Sequence, residues 1–320
     1  MVPGRPVLLG SLVLHGRAPV SGPPAATAAV RAAVRRALAD LPADAPVLAG
    51  VSGGADSLAL AAGLAFVRPG SAALVVDHDL QEGSAATAAR AREQCAQLGL
   101  RAQVVRVRVD GPGEGPAREA RLDALAAAGG TVLLGHTLDD QAETVLLGLA
   151  RGAGARALAG MAAVRGPFRR PLLGLPRALV RAACAQAGLH PAQDPHNADP
   201  AYARARVRTS ALPALEAALG PGVAAALARS AASLREDADA LDALAAAAVT
   251  DDVDLLAALP AAVRARVLKR WAEQACGAAV TSAHVAALRA LVEHWTGQGP
   301  VALPGGGHVE RRERRLAFRP

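Results

Sequence analysis

Short β-branched runs alternate with alanine-rich stretches through the first half of the chain. Four runs predict buried strands, at 47–51, 73–77, 103–109 and 131–136, and three intervening stretches predict helices, at 57–67, 84–98 and 115–128. A repeated strand–helix–strand order predicts an α/β fold with a doubly wound, mostly parallel sheet and helices on both faces. Ligands of such sheets bind at the carboxyl ends of the strands.

A change of pattern near residue 215 predicts two domains. Residues 25–215 contain the strand–helix repeat, and residues 216–320 predict a small, mainly helical domain with helices at 261–275 and 282–295. Between 236 and 254 there are seven acidic residues and no basic one, which indicates a solvated helix and linker. Residues 1–24 are rich in proline and glycine, so we expect a disordered N-terminal extension.

Composition restricts the compartment and the class of protein. Of the 320 residues, 52% are hydrophobic, mostly alanine, and no uncharged apolar run approaches the length that a membrane-spanning helix needs. We therefore expect a globular protein without a membrane partner. The three cysteines lie far apart and form no CxxC pair, which favours a reducing cytoplasm over a disulfide framework or a sequence-local zinc site.

Positive charge is concentrated in the first two thirds of the chain. The net charge is +7, and residues 151–208 contain ten arginines against two acidic residues. Such a patch suits a phosphate backbone. The alternative is a solvated face in a sequence biased towards arginine and alanine. Few aromatic residues are available for base stacking, so we expect nucleic-acid binding with a steep salt dependence.

The segment SGGADS, 52–57, follows a predicted strand and opens a helix. Backbone amides at such a helix N-terminus bind anions, and the helix dipole strengthens the attraction. The only lysine, Lys269, is distant, which excludes a Walker A site. Asp56 can hold a magnesium ion that bridges phosphate oxygens. A plain strand-to-helix turn is the alternative, since glycine, alanine and serine are abundant. The predicted ATP ligands in this segment are Ser52, Gly53, Gly54, Ala55, Asp56 and Ser57.

Two further motifs stand at strand ends. VDHDLQ, 76–81, places Asp77 and His78 where a doubly wound sheet contacts a base and ribose, although both could be turn residues. GHTLDDQAET, 135–144, places three carboxylates in one helical turn, with Asp140 and Glu143 on one face and Asp139 beside them. They could bind an ammonium group or accept its proton. Capping of the helix through the Thr137–Asp140 spacing is the alternative.

Together these motifs resemble the N-type ATP pyrophosphatase (PP-loop) family, and within it the chain is similar to the tRNA(Ile)-lysidine synthetases. The resemblance implies an adenine nucleotide alpha hydrolase-like fold, with His136 among the ATP ligands. It covers most of the chain and rests on these stretches: SGGADS (52–57), VDHDLQ (76–81), EGPAREARLDAL (114–125), GHTLDDQAETVLLGLARGAG (135–154), DPHNADPAYARARVR (194–208) and LPGGGHVERRERRLAF (303–318).

The resemblance also implies a reaction and its partners. The expected reaction joins L-lysine to the wobble cytidine of tRNA(Ile) with a CAU anticodon, through an adenylated cytidine, with ATP and Mg²⁺ as cofactors. A homodimer is one assembly we allow for. The residues implied in catalysis are Asp56, Arg118, Asp139, Asp140 and Glu143. The residues expected to contact tRNA or phosphate are Arg121, Arg151, Arg204, Arg206 and Arg208, with a catalytic role for one of the last three.

Other functions compete on the same sheet. A tRNA thiolase is one rival, but the thiolases considered carry paired cysteines, which this chain lacks. A small-molecule amidating synthetase, of the NAD or guanine-nucleotide type, has no need for ten arginines in one stretch. A non-catalytic tRNA-binding module would not need Asp56, Asp140 and Glu143 together, and it would release no pyrophosphate.

Overall fold

A computed structural model describes residues 22–77, 83–107, 114–192 and 199–320. The N-terminal half is built on a six-stranded sheet in the order β3-β2-β1-β4-β6-β5. All neighbouring strands pair in parallel except β5 and β6. The carboxyl ends of β1, β2 and β4 therefore lie at one edge. The strands are β1 Val47–Val51, β2 Ala72–Asp77, β3 Arg101–Arg106, β4 Thr131–Leu134, β5 Val164–Arg165 and β6 Phe168–Arg169.

Helices cover both faces of this sheet, as predicted. Alternate residues of β1 point to opposite faces: Val47, Ala49 and Val51 join one core with α1, α2, α3 and α7, while Leu48 joins a second core under α4. Burial on both faces is typical of parallel sheets. The helices of this half are α1 Ala25–Ala37, α2 Ala55–Val67, α3 Ser84–Gln97, α4 Glu114–Ala127, α5 Leu138–Ala150, α6 Ala155–Leu158 and α7 Arg177–Gln186.

Strand β3 is more exposed to solvent than the sequence predicted. The run at 103–109 was predicted to be a buried strand, and this is wrong for β3, where Val104 is 39% exposed. β3 lies at the edge of the sheet, and α3 packs against it. Residues 108 and 109 lie outside the described part of the chain.

The C-terminal half has its own core and a sheet that was not predicted. The core joins four helices to three antiparallel strands in the order β7-β8-β9, where a mainly helical domain was predicted. These strands are β7 Val301–Ala302, β8 His308–Arg312 and β9 Arg315–Arg319. The helices after α7 are α8 Ala203–Arg206, α9 Leu212–Leu219, α10 Val223–Ala247, α11 Val253–Ala258, α12 Ala261–Cys276 and α13 Ser282–Glu293, with a π-helical turn, Val207–Ala211, between α8 and α9.

Helix α10 connects the two halves. It packs against α5 and α6 of the first half and against α12 of the second. Arg235 of α10 donates to the carbonyl oxygens of Ala159 and Gly160, and Arg156 of α6 pairs with Asp239. Within the described residues, no single helix has the length and apolarity to cross a membrane. The segments 203–219 and 223–247 pass that test only together, and they are bent by 98°.

Candidate active site

The loop between β1 and α2 has the geometry of an anion site. Gly53 has φ +82°, a conformation that favours glycine, and Gly54 is the N-cap of α2. Ser57 Oγ accepts from the amide of Ser52 at 3.2 Å and donates to the Gly54 carbonyl at 2.9 Å, which fixes the loop. The amides in the first turn of α2 are consequently held at the carboxyl edge of the sheet, where they can bind phosphate oxygens.

Asp56 places a carboxylate beside that loop. Its Oδ2 lies 3.7 Å from Nε of Arg177, while its buried Oδ1 has no hydrogen-bond partner among the described residues. Burial raises the pKa of Asp56 to about 6, and the nearby arginine partly opposes this effect. A buried carboxylate oxygen without a partner requires an explanation, and a bound cation supplies one. The residues of the loop thus fit a magnesium-bearing phosphate group.

In the first turn of α5, Asp140 caps the helix and also forms an ion pair. Its Oδ2 accepts from the amide and hydroxyl of Thr137, each at 2.8 Å, in a capping box. Its Oδ1 pairs with Nη2 of Arg177 at 2.8 Å. Burial raises the pKa of Asp140, but the charge of Arg177 and the hydrogen bonds from Thr137 together outweigh it, so the pKa lies below its usual value. Capping of α5 and pairing with an arginine therefore coexist in one side chain.

Glu143 lies one turn further along α5 and is fully buried. Arg208 binds it with two nitrogens, Nε to Oε1 at 2.8 Å and Nη2 to Oε2 at 3.0 Å. Arg204 places Nε 3.8 Å from Oε2 and donates from Nη2 to Thr144. Glu143 is therefore a buried partner of arginines rather than an open carboxylate. The prediction that Asp140 and Glu143 share a helix face agrees with their common arginine contacts.

Arg177 is the residue of this cluster that sequence reasoning missed. It begins α7 after Pro176 and is 8% exposed. Its Nη1 lies 3.0 Å from Oε1 of Glu143, and its backbone amide donates to Oδ2 of Asp139 at 2.7 Å. The available signal was the arginine excess between 151 and 208, and that excess does not single out one residue.

The arginines of the predicted basic patch differ in what they contact. Arg204 and Arg208 face the acidic turn, whereas Arg206 donates to the carbonyl oxygens of Pro200 and Ala201. Arg151 is exposed at the C-terminal end of α5. Much of the patch therefore neutralises carboxylates of the same chain, a role that the alternatives of a phosphate-binding or solvated surface did not include.

A cavity of about 840 Å³ joins these elements. Its wall includes Ser52, Gly54, Ala55, Asp56 and Ser57 of the loop, and Asp140, Arg204 and Arg208 of the ionic cluster. The wall also includes Arg118 and Arg121 of α4 and His136. Sites for small molecules typically measure roughly 300–1,000 Å³, so the cavity has room for a nucleotide.

His136 is a neutral ring within this wall. Burial is the main cause that lowers its pKa, to about 3, and Nδ1 has no hydrogen-bond partner in the described part of the chain. Asp77, another predicted ATP contact, is not among the described residues that line the cavity. Asp77 is buried at the end of β2, with Oδ2 3.8 Å from Nε of Arg106, and His78 lies outside the described residues.

Models of known protein families match both halves of the chain. Residues 27–215 match the PP-loop domain family, and residues 252–317 match the TilS substrate binding domain family. The tRNA(Ile)-lysidine synthase of Leifsonia xyli subsp. xyli is 50% identical over 84% of this chain and 88% of its own length. The enzyme of the same name from Salinispora tropica is 53% identical, over 83% and 88%.

A solved structure supports the fold. The U34-tRNA thiolase NcsA from Methanococcus maripaludis, with its [4Fe-4S] cluster, superposes with a TM-score of 0.54 at 20% identity, over 66% of this chain and 80% of its own. At that identity the likeness concerns the fold alone. The two family matches and the relatives at about half identity over most of their length decide the assignment: the chain belongs to the tRNA(Ile)-lysidine synthase family of PP-loop enzymes.

Proposed function

We propose that the protein ligates L-lysine to the wobble cytidine of tRNA(Ile) with a CAU anticodon. ATP is consumed, AMP and pyrophosphate are released, and the product is lysidine. One observation carries the proposal: the anion-binding loop and the arginine-bound acidic turn open into the same cavity. A reaction that activates one substrate with ATP and then joins an amine to it needs both parts within reach.

The first step would attach AMP to the cytidine. The 2-carbonyl oxygen of the base attacks the α-phosphorus, and the bond to pyrophosphate breaks. The amides of 52–57 would hold the phosphates, and the open Oδ1 of Asp56 would hold Mg²⁺, which neutralises phosphate charge when bound. Arg118 lines the cavity, where it can stabilise the charge that develops on the phosphate.

The second step would replace AMP by lysine. The ε-amine attacks C2 of the adenylated base, the C2–O bond breaks, and AMP leaves with that oxygen. The amine must first lose a proton, and carboxylates can orient the ammonium form and accept the proton. Asp140 lines the cavity and is our candidate for this contact, with Asp139 beside it. Glu143 would act from behind the wall, because it holds Arg204 and Arg208 in place.

The tRNA would contact both halves. Arg121, Arg151 and Arg206 are candidates for phosphate contacts of the anticodon stem. We propose a catalytic domain at 25–215 and a mainly helical tRNA-contacting domain at 216–320, and the match of 252–317 to a substrate binding domain supports the second. A cytoplasmic location follows from the proposed substrate, since tRNA is modified there.

A labelling experiment tests the function. The protein is mixed with ATP, Mg²⁺, radiolabelled L-lysine and an isoleucine tRNA transcript with a CAU anticodon. We expect label in the RNA and release of pyrophosphate that depends on the transcript. A matched transcript with uridine at the wobble position should remain unlabelled. Absence of label from the CAU transcript would refute the proposal, and absence of pyrophosphate as well would favour a binding module.

A further inference from the structure

Arg177 contacts every acidic residue predicted for catalysis. Its three guanidinium nitrogens reach three carboxylates: Nε lies 3.7 Å from Asp56 Oδ2, Nη2 lies 2.8 Å from Asp140 Oδ1, and Nη1 lies 3.0 Å from Glu143 Oε1. Its backbone amide donates to Asp139 at 2.7 Å. Helix α7 therefore connects to the acidic residues through both the side chain and the main chain of its first residue.

These carboxylates come from two separate elements. Asp56 lies in the first turn of α2, beside the anion-binding loop, while Asp140 and Glu143 lie on α5, after β4. Arg208 also binds Asp140 and Glu143, at 3.4 and 2.8 Å. Among the ion pairs of the described residues, the one that includes Asp56 is formed by Arg177. Arg177 thus links the phosphate end of the cavity to its acidic turn.

The side chain of Arg177 is enclosed together with its partners. Its side chain is 10% exposed and those of Asp140 and Glu143 are 13% and 0% exposed, so the pairs are shielded from screening by water. The guanidinium group is planar and presents five donors in a fixed fork, which suits several acceptors at once. A lysine ammonium is a compact charge that could not span the same three carboxylates.

We propose that Arg177 is a positioning residue that holds Asp56 and the acidic turn of α5 in register. ATP activation and amine attack then occur at one point of the cavity. The inference rests on the proposed function, because it assigns Arg177 a role in both half-reactions. Arg177 leaves Oδ1 of Asp56 open, so it orients that carboxylate while its second oxygen stays available to a ligand.

Three variants test the role. Arg177→Met removes the charge and Arg177→Lys retains it. Arg169→Met is the matched control, because Arg169 is another poorly exposed arginine, paired with Asp40 outside the cavity wall. Two rates are measured: pyrophosphate release, and lysine transfer to a pre-adenylated transcript in a single turnover. A small displacement of reacting groups can cost on the order of 100-fold. We expect Arg177→Met to lose about that much in both rates, and Arg177→Lys about tenfold.

The control variant shows how the two rates respond when an arginine with only a structural role is lost. Arg169→Met loses the hydrogen bonds to Asp40 and to the Ala37 carbonyl, so it should unfold at a lower temperature than the wild type yet keep both rates within about threefold. A loss in Arg169→Met equal to that of Arg177→Met would overturn the inference. Wild-type rates in Arg177→Met would overturn it as well. Failure of the proposed function can be distinguished from failure of this inference, because the wild-type protein itself would then transfer no lysine.

Chemical rescue separates position from folding. Arg177→Ala leaves a space beside three carboxylates, and methylguanidinium can occupy it. We expect added methylguanidinium to restore both rates at least about tenfold, while methylammonium should restore neither, because it lacks the planar fork. Arg169→Ala should show no rescue. Equal effects of methylguanidinium and methylammonium on Arg177→Ala would contradict the inference, since they would reflect charge alone.

Discussion

Gly135 lies directly against the main chain of Asp56. A Cβ atom at Gly135 would stand 3.0 Å from the carbonyl carbon and oxygen of Asp56, and 3.1 Å from Cα of Ser57. Contacts that short are tighter than ordinary packing, and the atoms involved are backbone atoms that cannot rotate away. The end of β4 therefore supports the anion-binding loop, and the two halves of the site are in contact even without Arg177.

Gly135→Ala should displace the loop. The added methyl group must push the first turn of α2, and overpacking of this kind typically costs about 1–3 kcal/mol. We expect the variant to fold but to release pyrophosphate at least about tenfold more slowly, since the loop amides would no longer be aligned. The rate of pyrophosphate release at saturating tRNA measures this.

Gly174→Ala is the control for that experiment. Gly174 has open space around the position of a Cβ atom, and its φ is not positive. Its replacement should leave the rate within about twofold of the wild type, because a surface change away from special features is nearly neutral. A normal rate in Gly135→Ala would mean that the loop tolerates displacement.

Asp56→Ala and Glu143→Gln should separate the two half-reactions. Loss of the Asp56 carboxylate removes the proposed magnesium ligand, so pyrophosphate release should fall below detection. Glu143→Gln keeps the shape of a fully buried side chain but removes its charge. It should slow lysine transfer more than pyrophosphate release, because Arg204 and Arg208 lose the carboxylate that holds them.

The choice of glutamine follows from the burial of Glu143. Alanine would leave three arginines facing an empty space, and an unpaired buried charge costs about 3–5 kcal/mol, so loss of activity could simply report unfolding. Asp44→Ala, at an exposed position, is the control for Asp56→Ala. Equal losses of both rates in Glu143→Gln would contradict the division of roles.

Local patterns in the sequence were sufficient to predict much of the fold. The apolar run before the glycines predicted β1 with its observed bounds, Val47–Val51, because strand and loop signals adjoin there. The threonine–aspartate spacing predicted the observed capping box at Thr137 and Asp140. The edge exposure of β3 and the C-terminal sheet were missed, since both depend on which elements become neighbours in space.

The ionic cluster was predictable only in part. Helical spacing placed Asp140 and Glu143 on one face, but spacing does not tell which residues of other elements pack against that face. Arg177 lies 37 residues from Asp140 in sequence and meets it only through the packing of α7. The contacts of Arg177 therefore depend on the tertiary structure, and no local motif indicates them.

Arg151→Gln should reduce the salt dependence of tRNA binding. Arg151 is exposed, and a residue that contacts one phosphate contributes about one unit to the slope of log K against log salt. Arg208→Gln is a contrast, because Arg208 is engaged with Glu143 and should affect catalysis more than the slope. Filter binding of the tRNA between low and moderate salt measures both. An unchanged slope in Arg151→Gln would exclude that phosphate contact.

His136 should make the folded protein sensitive to mild acid. Its environment contains Asp140, which favours the protonated ring, and Arg118, Arg121 and Arg170, which disfavour it; burial dominates and holds the pKa at about 3. The unfolded chain has a histidine pKa near 6.5. Above that pH the ring is neutral in both states. Below it only the unfolded chain gains a proton, so stability falls as the pH drops from about 6.5 towards 3.

The expected size of this effect is measurable. At pH 5.5 the unfolded chain gains up to about 1.4 kcal/mol from that proton, a contribution that His136→Gln removes. Urea unfolding at pH 7.5 and 5.5, followed by circular dichroism, should therefore show a smaller loss of stability in His136→Gln than in the wild type. His190→Gln, at an exposed position, should retain the wild-type loss. Identical losses in all three proteins would mean that His136 is not kept neutral in the folded state, and the cavity wall would then carry an additional positive charge beside the proposed phosphate site.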